Sequence, residues 1–216
     1  MSQFIVHSVP GSPFGRSVLA TLEEKGASYR LAPVASGTLQ SAEHLARHPF
    51  GRVPVIEHDG FMLYETQAIL RYLDAAFPEP ALQPKDARLA ARMNQIIGIN
   101  DWYFFPKVAA VIVFQRIIGP ALLGIKTDEA AIEAAIPTGR TCVAELDRLL
   151  GAQQFLAGDD LSIADLMLAP QLDFLAETPE GKALLAGTRI EPWLERMNKR
   201  PSMQATQRPD ALRRAA

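Results

Sequence analysis

His48-Pro49-Phe50-Gly51-Arg52-Val53-Pro54-Val55-Ile56-Glu57-His58-Asp59-Gly60-Phe61-Met62-Leu63-Tyr64-Glu65-Thr66-Gln67-Ala68-Ile69 carries three structural signals in one run. After a Pro- and Gly-containing loop, Val53–Glu57 and Phe61–Tyr64 flank Asp59-Gly60, a turn pair that favours a two-residue hairpin. The hairpin then yields to a helix. From Glu65 to Phe77 the apolar residues Ile69, Leu70, Leu73 and Phe77 recur at helical spacing, and Pro78 and Pro80 stop the run.

Upstream, Phe4 to Val9 favours a strand and ends at Pro10-Gly11. Ser12 suits a helix N-cap and Pro13 the first helical position; Val18, Leu19 and Leu22 give an apolar stripe that Lys25-Gly26 closes. A second strand spans Ser28 to Val34. A strand, a helix and a strand this close together form a βαβ unit, which implies parallel pairing. Ser41 to Arg47 can hold one short helix before the quoted loop. Downstream, helices are expected at Asp86–Ile118, Asp128–Leu150, Ser162–Glu177 and Glu191–Lys199, separated by Gly- or Pro-containing breaks. The chain thus divides into an α/β domain at residues 1–78, a linker at 79–85 and an all-helical domain at 86–216. Its last dozen residues, with Arg208, Arg213 and Arg214, read as a loose tail.

Composition narrows the function. The 14 Gly and 16 Pro among 216 residues fall well short of a disordered chain. Charges nearly balance at 22 basic against 24 acidic side chains, which leaves no electrostatic footprint for nucleic acid or an anionic membrane. The longest apolar stretch, Val108 to Ile125, is interrupted by Gln115, Arg116 and Pro120, so no bilayer span is expected. Met1 to Arg16 lacks the basic start and apolar run of a signal peptide. A single cysteine, Cys142, excludes an internal disulfide and a Cys-rich zinc site; lying amid Val143, Leu146 and Leu149, it reads as a packing residue. A cytoplasmic location is the expectation, with no metal.

This βαβ–ββα domain followed by helices resembles the glutathione S-transferase family. The quoted stretch is similar to that family's segment from its proline loop to its glutamyl-binding helix, with Val-Pro, Asp-Gly and Glu-Thr in order. Ser162-Ile163-Ala164-Asp165 looks like the family's buried capping box, and Trp193 with Arg200-Pro201 fits its C-terminal part. The resemblance spans nearly the whole chain and is nearest to plant phi-type and related bacterial members. It implies a thioredoxin-like N-terminal domain, glutathione as co-substrate, a role in detoxification and a homodimer.

Ser12 is the leading candidate for thiol activation. A thiol with pKa about 8.5 is mostly protonated at neutral pH, and lowering it by about two units takes roughly 2.7 kcal/mol. A hydroxyl donating to the thiolate supplies about 1.5–3 kcal/mol and a helix N-terminus about 0.3–1 kcal/mol. The resemblance leaves the donor open. Counting back from Lys25-Gly26, the phi-type serine falls on Gly11, whereas Ser12-Pro13-Phe14 matches the Cys-Pro-Phe of thiol-type relatives. Ser8 and Ser17 are weaker candidates. No tyrosine precedes Tyr29, His7 stands near the tyrosine position of other members, and no cysteine lies nearby, which disfavours tyrosine-type and mixed-disulfide chemistry.

The resemblance further implies a cis peptide before Pro54, which leaves the Val53 backbone to pair with glutathione. It implies that Thr66 and neighbouring amides hold the γ-glutamyl carboxylate and that Glu65 meets the ammonium. Gln40, His44 and Arg52 are the candidates for the glycyl carboxylate. Trp102-Tyr103-Phe104-Phe105 sweep about 300° of a helix, more than one core-facing stripe covers. Trp102, Tyr103 and Phe105, with Val111 and Phe114, are therefore candidates for a hydrophobic substrate pocket. Phe50 resembles the aromatic key of transferase dimers. Conjugation, peroxidase work and isomerisation share the same thiolate. The alternatives are a non-catalytic transferase-fold interaction module and a zeta-like isomerase, for which Arg16 and Lys107 would supply cations.

Overall fold

In the computed structural model, which describes residues 3–208, Phe4–Ser8 forms strand β1 and Pro13–Glu24 forms helix α1, capped by Ser12. Strand β2 (Tyr29–Pro33) pairs parallel with β1 in the register Phe4↔Tyr29 to Ser8↔Pro33. A short α2 (Ala42–Arg47) precedes strands β3 (Val55–His58) and β4 (Phe61–Tyr64) and helix α3 (Thr66–Ala76). The sheet order is β2-β1-β3-β4, with β3 antiparallel to β1 and β4 antiparallel to β3. Helices α1 and α3 pack on each other, and Val18, Leu22, Ile69, Leu70 and Leu73 are fully buried along with Phe4, Val6, Val55 and Ile56 of the strands. The expected βαβ–ββα order is therefore the observed one.

The chain separates into two units, residues 3–82 with 201–208, and residues 83–200. The first unit extends past the expected end at 78. The Lys25 ammonium donates to the Asp74 carboxylate and to the Pro80 carbonyl, and the same carboxylate accepts from the Leu82 N–H at 2.8 Å. Residues 79–82 are thereby tied down as part of this unit; the Glu79–Pro80 peptide within them is cis.

The second unit is helical. Ala87–Leu123 is one continuous helical run, made of α4 (Ala87–Ile99), a π-helical stretch Asn100–Ala109, α5 (Ala110–Val113) and a second π-helical stretch Phe114–Leu123. The helix does not end at Ile118 as expected, and Pro106 and Pro120 both lie inside the run. The wider π turns accommodate a ring and a missing N–H that a regular α turn tolerates badly. The run stops instead at Gly124, whose φ of 63° is left-handed. At 37 residues, with an 18-residue window of mean hydropathy 1.5, this run is long and apolar enough by length and composition to cross a membrane. That differs from the expectation of no such segment. Ile96, Ile97, Phe104, Val108, Ile112 and Ile117 are nevertheless buried within the helical unit.

Helices α6 (Glu129–Leu150), α7 (Ile163–Leu175), α8 (Pro179–Leu185) and α9 (Ile190–Asn198) complete this unit. Helix α7 is apolar on nearly every face and sits at the centre. Asp86 and Asp128 cap α4 and α6 at the positions where the sequence starts those helices. Cys142 is buried.

Arg116 fastens the second π stretch to two helix starts, with paired hydrogen bonds to Glu129 at 2.7 and 2.8 Å and a contact to Glu180 at 2.6 Å. Hydrogen bonds from this guanidinium hold both carboxyls below their ordinary pKa. A carboxyl depressed in the folded state stabilises above its unfolded pKa, and that stabilisation is lost as pH falls through the folded value. Arg116→Met is accordingly expected to lower the melting temperature by about 2–4 °C near neutrality. The gap from the parent should close as pH is lowered past about 4; a gap that persisted in acid would remove the ion pairs as its cause.

Beyond α9 the chain rejoins the first unit. Helix α10 (Pro201–Ala205) lies along α1, where the Arg16 guanidinium donates to the Met203 carbonyl at 3.1 Å and the Ser202 hydroxyl to Glu24. Two expectations change here. The segment 86–216 is not one unit, and Arg208, assigned to a loose tail, is buried at 4% exposure. Arg213 and Arg214 lie outside the described residues.

Candidate functional site

Three chain segments meet at one end of the sheet, as the strand register shows. His7 pairs with Val55, so the next pair places Ser8 opposite Pro54; Val55 pairs with Tyr64, so the next places Pro54 opposite Glu65. The loop leading to Ser12, the Val53–Pro54 peptide and the start of α3 are thus neighbours. Two helix N-termini open at this end, those of α1 and α3. Each carries the partial positive charge of a helix start, which suits an anion.

Ser12 is half-buried, and its Oγ accepts from the Gly15 N–H at 3.2 Å while its own proton donates to none of the described residues. Gly11 before it has φ of 87°, a left-handed conformation that favours glycine. A residue with a Cβ is disfavoured there, which accounts for glycine at the position where the phi-type count puts serine. The two weaker candidates are excluded by burial. Ser17 is fully buried with its hydroxyl on the Pro13 carbonyl at 3.1 Å, and Ser8, 2% exposed, donates to the Val9 carbonyl at 3.3 Å.

The Val53–Pro54 peptide is cis, as the resemblance implies. Neither the amide nor the carbonyl of Val53 pairs with another backbone group among the described residues, so its edge is open. Glu65 is exposed with φ of 70°, a strained conformation for a residue with a side chain. No sequence signal marks it. Its carbonyl still accepts from the Ile69 N–H, and Thr66, largely buried, begins the helix.

Of the three candidates for the glycyl carboxylate, Gln40 lies against Gly51, so closely that a Cβ there would meet its Nε2 at 2.3 Å. Arg52 is exposed. His44 is not available through Nε2, which is bonded to the Arg52 carbonyl at 2.8 Å inside a 2%-exposed setting. Its contribution is to hold the loop. His48, buried, lies tilted against Tyr64 at 4.6 Å between ring centroids, and burial pushes its imidazole pKa down, as it does for His7. Phe50, 66% exposed, caps the same cluster with its ring 6.4 Å from Tyr64.

The aromatic run on the helical unit divides by face. Phe104 is fully buried, Phe105 half-buried, and Trp102 and Tyr103 exposed, with the Lys107 ammonium 5.3 Å from the Tyr103 ring centroid. Phe114 is half-buried. A groove of about 330 Å³ in this unit is lined by other residues, among them Ile136, Val143 and Leu184. Arg16, one of the two cations of the isomerase reading, is buried on the Met203 carbonyl.

A family model for the glutathione S-transferase N-terminal domain matches residues 6–81, and one for the C-terminal domain of the same family matches residues 129–196. The chain belongs to the glutathione S-transferase family. Among relatives of this transferase, glutathione S-transferase 3 of Zea mays is 29% identical over 212 residues, covering 95% of this chain and 94% of that one. The probable glutathione S-transferase GSTF2 of Oryza sativa subsp. japonica is 29% identical over 188 residues, covering 86% and 87%. Glutathione transferase F7 from Populus trichocarpa superposes with a TM-score of 0.85 at 26% identity, covering 94% of this chain and 97% of that one. A glutathione S-transferase-I solved with lactoylglutathione bound gives 0.83 at 27% identity, covering 94% and 97%.

Proposed function

We propose that this glutathione S-transferase binds glutathione at the sheet end shared by Ser12, Val53–Pro54 and Thr66, and activates its thiol through the Ser12 hydroxyl and the α1 N-terminus. The observation that carries the reading is the uncommitted proton of Ser12 beside the open Val53 edge and the α3 N-terminus. In this reading the cysteinyl backbone pairs with Val53, and the γ-glutamyl carboxylate sits on Thr66 and the first amides of α3. Glu65 accepts from the ammonium, and Gln40 and Arg52 serve the glycyl end. The relative solved with lactoylglutathione gives this assignment a precedent of the right ligand class.

The electrophile we infer is apolar, because Trp102 and Tyr103 leave aromatic surface uncovered and Phe105 and, further along the same helical run, Phe114 are only half-buried. Conjugation is the leading reaction, with peroxidase work as a side activity of the same thiolate. With Arg16 occupied, the isomerase reading keeps only Lys107. We place the contact of a homodimer at Phe50 and the enzyme in the cytoplasm.

Titration calorimetry with glutathione tests the site. Saturable binding is expected, and Thr66→Val should weaken it about tenfold, the loss of one hydrogen bond to a charged group. A pH scan of the thiolate absorbance of the complex should place the bound thiol well below about 8.5. No binding at millimolar glutathione, or an unshifted thiol, overturns the reading.

A further inference from the structure

Gly15 does two things at once. Its N–H donates to the Ser12 Oγ at 3.2 Å, which occupies a lone pair and leaves the hydroxyl proton pointing elsewhere. Its Cα is pressed against β1, where a Cβ added to it would lie 2.0 Å from the Ser8 Oγ and 3.0 Å from the Ser8 Cβ. The first distance is one that real atoms do not adopt, and rotating the hydroxyl away still leaves the second. Ser8 itself is 2% exposed and is held in the sheet by register with Pro33, so it has little room to retreat. The remaining near contact of such a Cβ, the Ser12 Cβ at 3.5 Å, is ordinary. At this point the first turn of α1 approaches the strand as a glycine over a serine, with no room for a Cβ between them.

We propose that Gly15 is a positioning residue for thiol activation, with buried Ser8 as its seat: the close approach of the pair fixes the amide that holds the Ser12 hydroxyl, and so sets how strongly the bound thiol is acidified. The proposal rests on the reading of Ser12 as the thiol's donor. Ser8 acts through Gly15 and touches no ligand. Its burial and its own bond to the Val9 carbonyl distinguish it from a direct donor.

The test compares the parent, Gly15→Ala, Ser8→Ala and the double variant Ser8→Gly/Gly15→Ala, reading the pKa of bound glutathione and the kinetic constants with a chromogenic aryl halide. Gly15→Ala should raise the thiol pKa by about one unit and lower kcat about tenfold or more, with the KM for glutathione within about twofold. The double variant, which removes the obstructing Oγ and Cβ, should return both to near the parent values. Restoration excludes a direct donor role for Ser8, and a thiol pKa that rises while the KM for glutathione stays nearly constant is the readout that a merely structural role would not give.

Should Gly15→Ala fail to fold, Ser8→Ala decides. A smaller rise in thiol pKa supports the proposal, and none overturns it. An unchanged thiol pKa in folded Gly15→Ala, or a double variant no better than the single, also overturns it. A parent enzyme that binds glutathione without acidifying its thiol would instead fail the reading beneath, and the two failures are told apart by that control.

Discussion

Replacing Ser12 with alanine is expected to lower kcat about 10²-fold, by analogy with the loss of one preorganised donor to a developing anion, while glutathione affinity changes little. The effect is electrostatic. The hydroxyl proton has no other partner among the described residues, so a bound thiolate is its natural acceptor, and alanine withdraws that donor without touching Val53 or Thr66. The thiol pKa of the complex should rise toward about 8.5, with the helix N-terminus alone still acting on it. Because Ser12 also caps α1, alanine should cost about 1 kcal/mol of stability. Ser12→Asp separates the two roles: it keeps an acceptor for the Gly15 N–H, so stability is retained, but brings a negative charge and no proton, so activity is lost. Parallel measurement of melting temperature, thiol pKa and kcat checks this. An alanine variant with unchanged kcat would move the donor to a backbone amide near the start of α1.

Asp165→Ala should be the most damaging substitution for folding. Its carboxylate, fully buried, accepts four hydrogen bonds: the Leu156 N–H at 2.8 Å, the Ser162 N–H at 3.0 Å and hydroxyl at 2.7 Å, and the Trp193 indole N–H at 3.0 Å. The sequence marks only the Ser162 pair, as a capping box; the structure adds two donors from nine residues before and twenty-eight after. Burial pushes the carboxyl pKa up, and these donors oppose that shift. Alanine leaves all four unpaired in the core, at an expected cost of about 4 kcal/mol or more and a fall in melting temperature of about 10 °C or more. Ser162→Ala, which removes a single donor, should cost about 1 kcal/mol. Urea unfolding followed by tryptophan fluorescence measures both, since Trp193 reports on this site directly. Equal midpoints for the two variants would mean that the carboxylate is not the hub.

The local features of the proposed site are legible in the order of residues. Ser12 as a cap needs only a small hydroxyl before Pro13, and the hairpin at Asp59-Gly60 needs only a residue pair that tolerates positive φ. Val53–Pro54 and Glu65-Thr66 are legible through family resemblance, because composition gives no warrant for a cis bond or for a carboxylate-binding helix start. The strained φ of Glu65 is invisible in the sequence, since the penalty is overridden by strand and helix fixing both its neighbours. Pro120 misleads because the rule that proline ends a helix assumes α geometry, and the helix here widens to π.

By itself the sequence determined what lies within a few residues: which segments are strands or helices, where most of them are capped, and that a βαβ–ββα unit precedes a helical one. Those signals are dihedral preferences and hydrogen bonds between near neighbours, so the order of residues contains them. Tertiary structure alone decided which serine keeps a usable proton, since Ser8, Ser12 and Ser17 are chemically alike and differ only in what packs over them. It likewise decided that Arg16 is a strut for residues 201–208 and that Lys25 and Asp74 hold residues 80–82. Burial and pairing across such separations depend on which surfaces the fold brings together, and chain order does not record that.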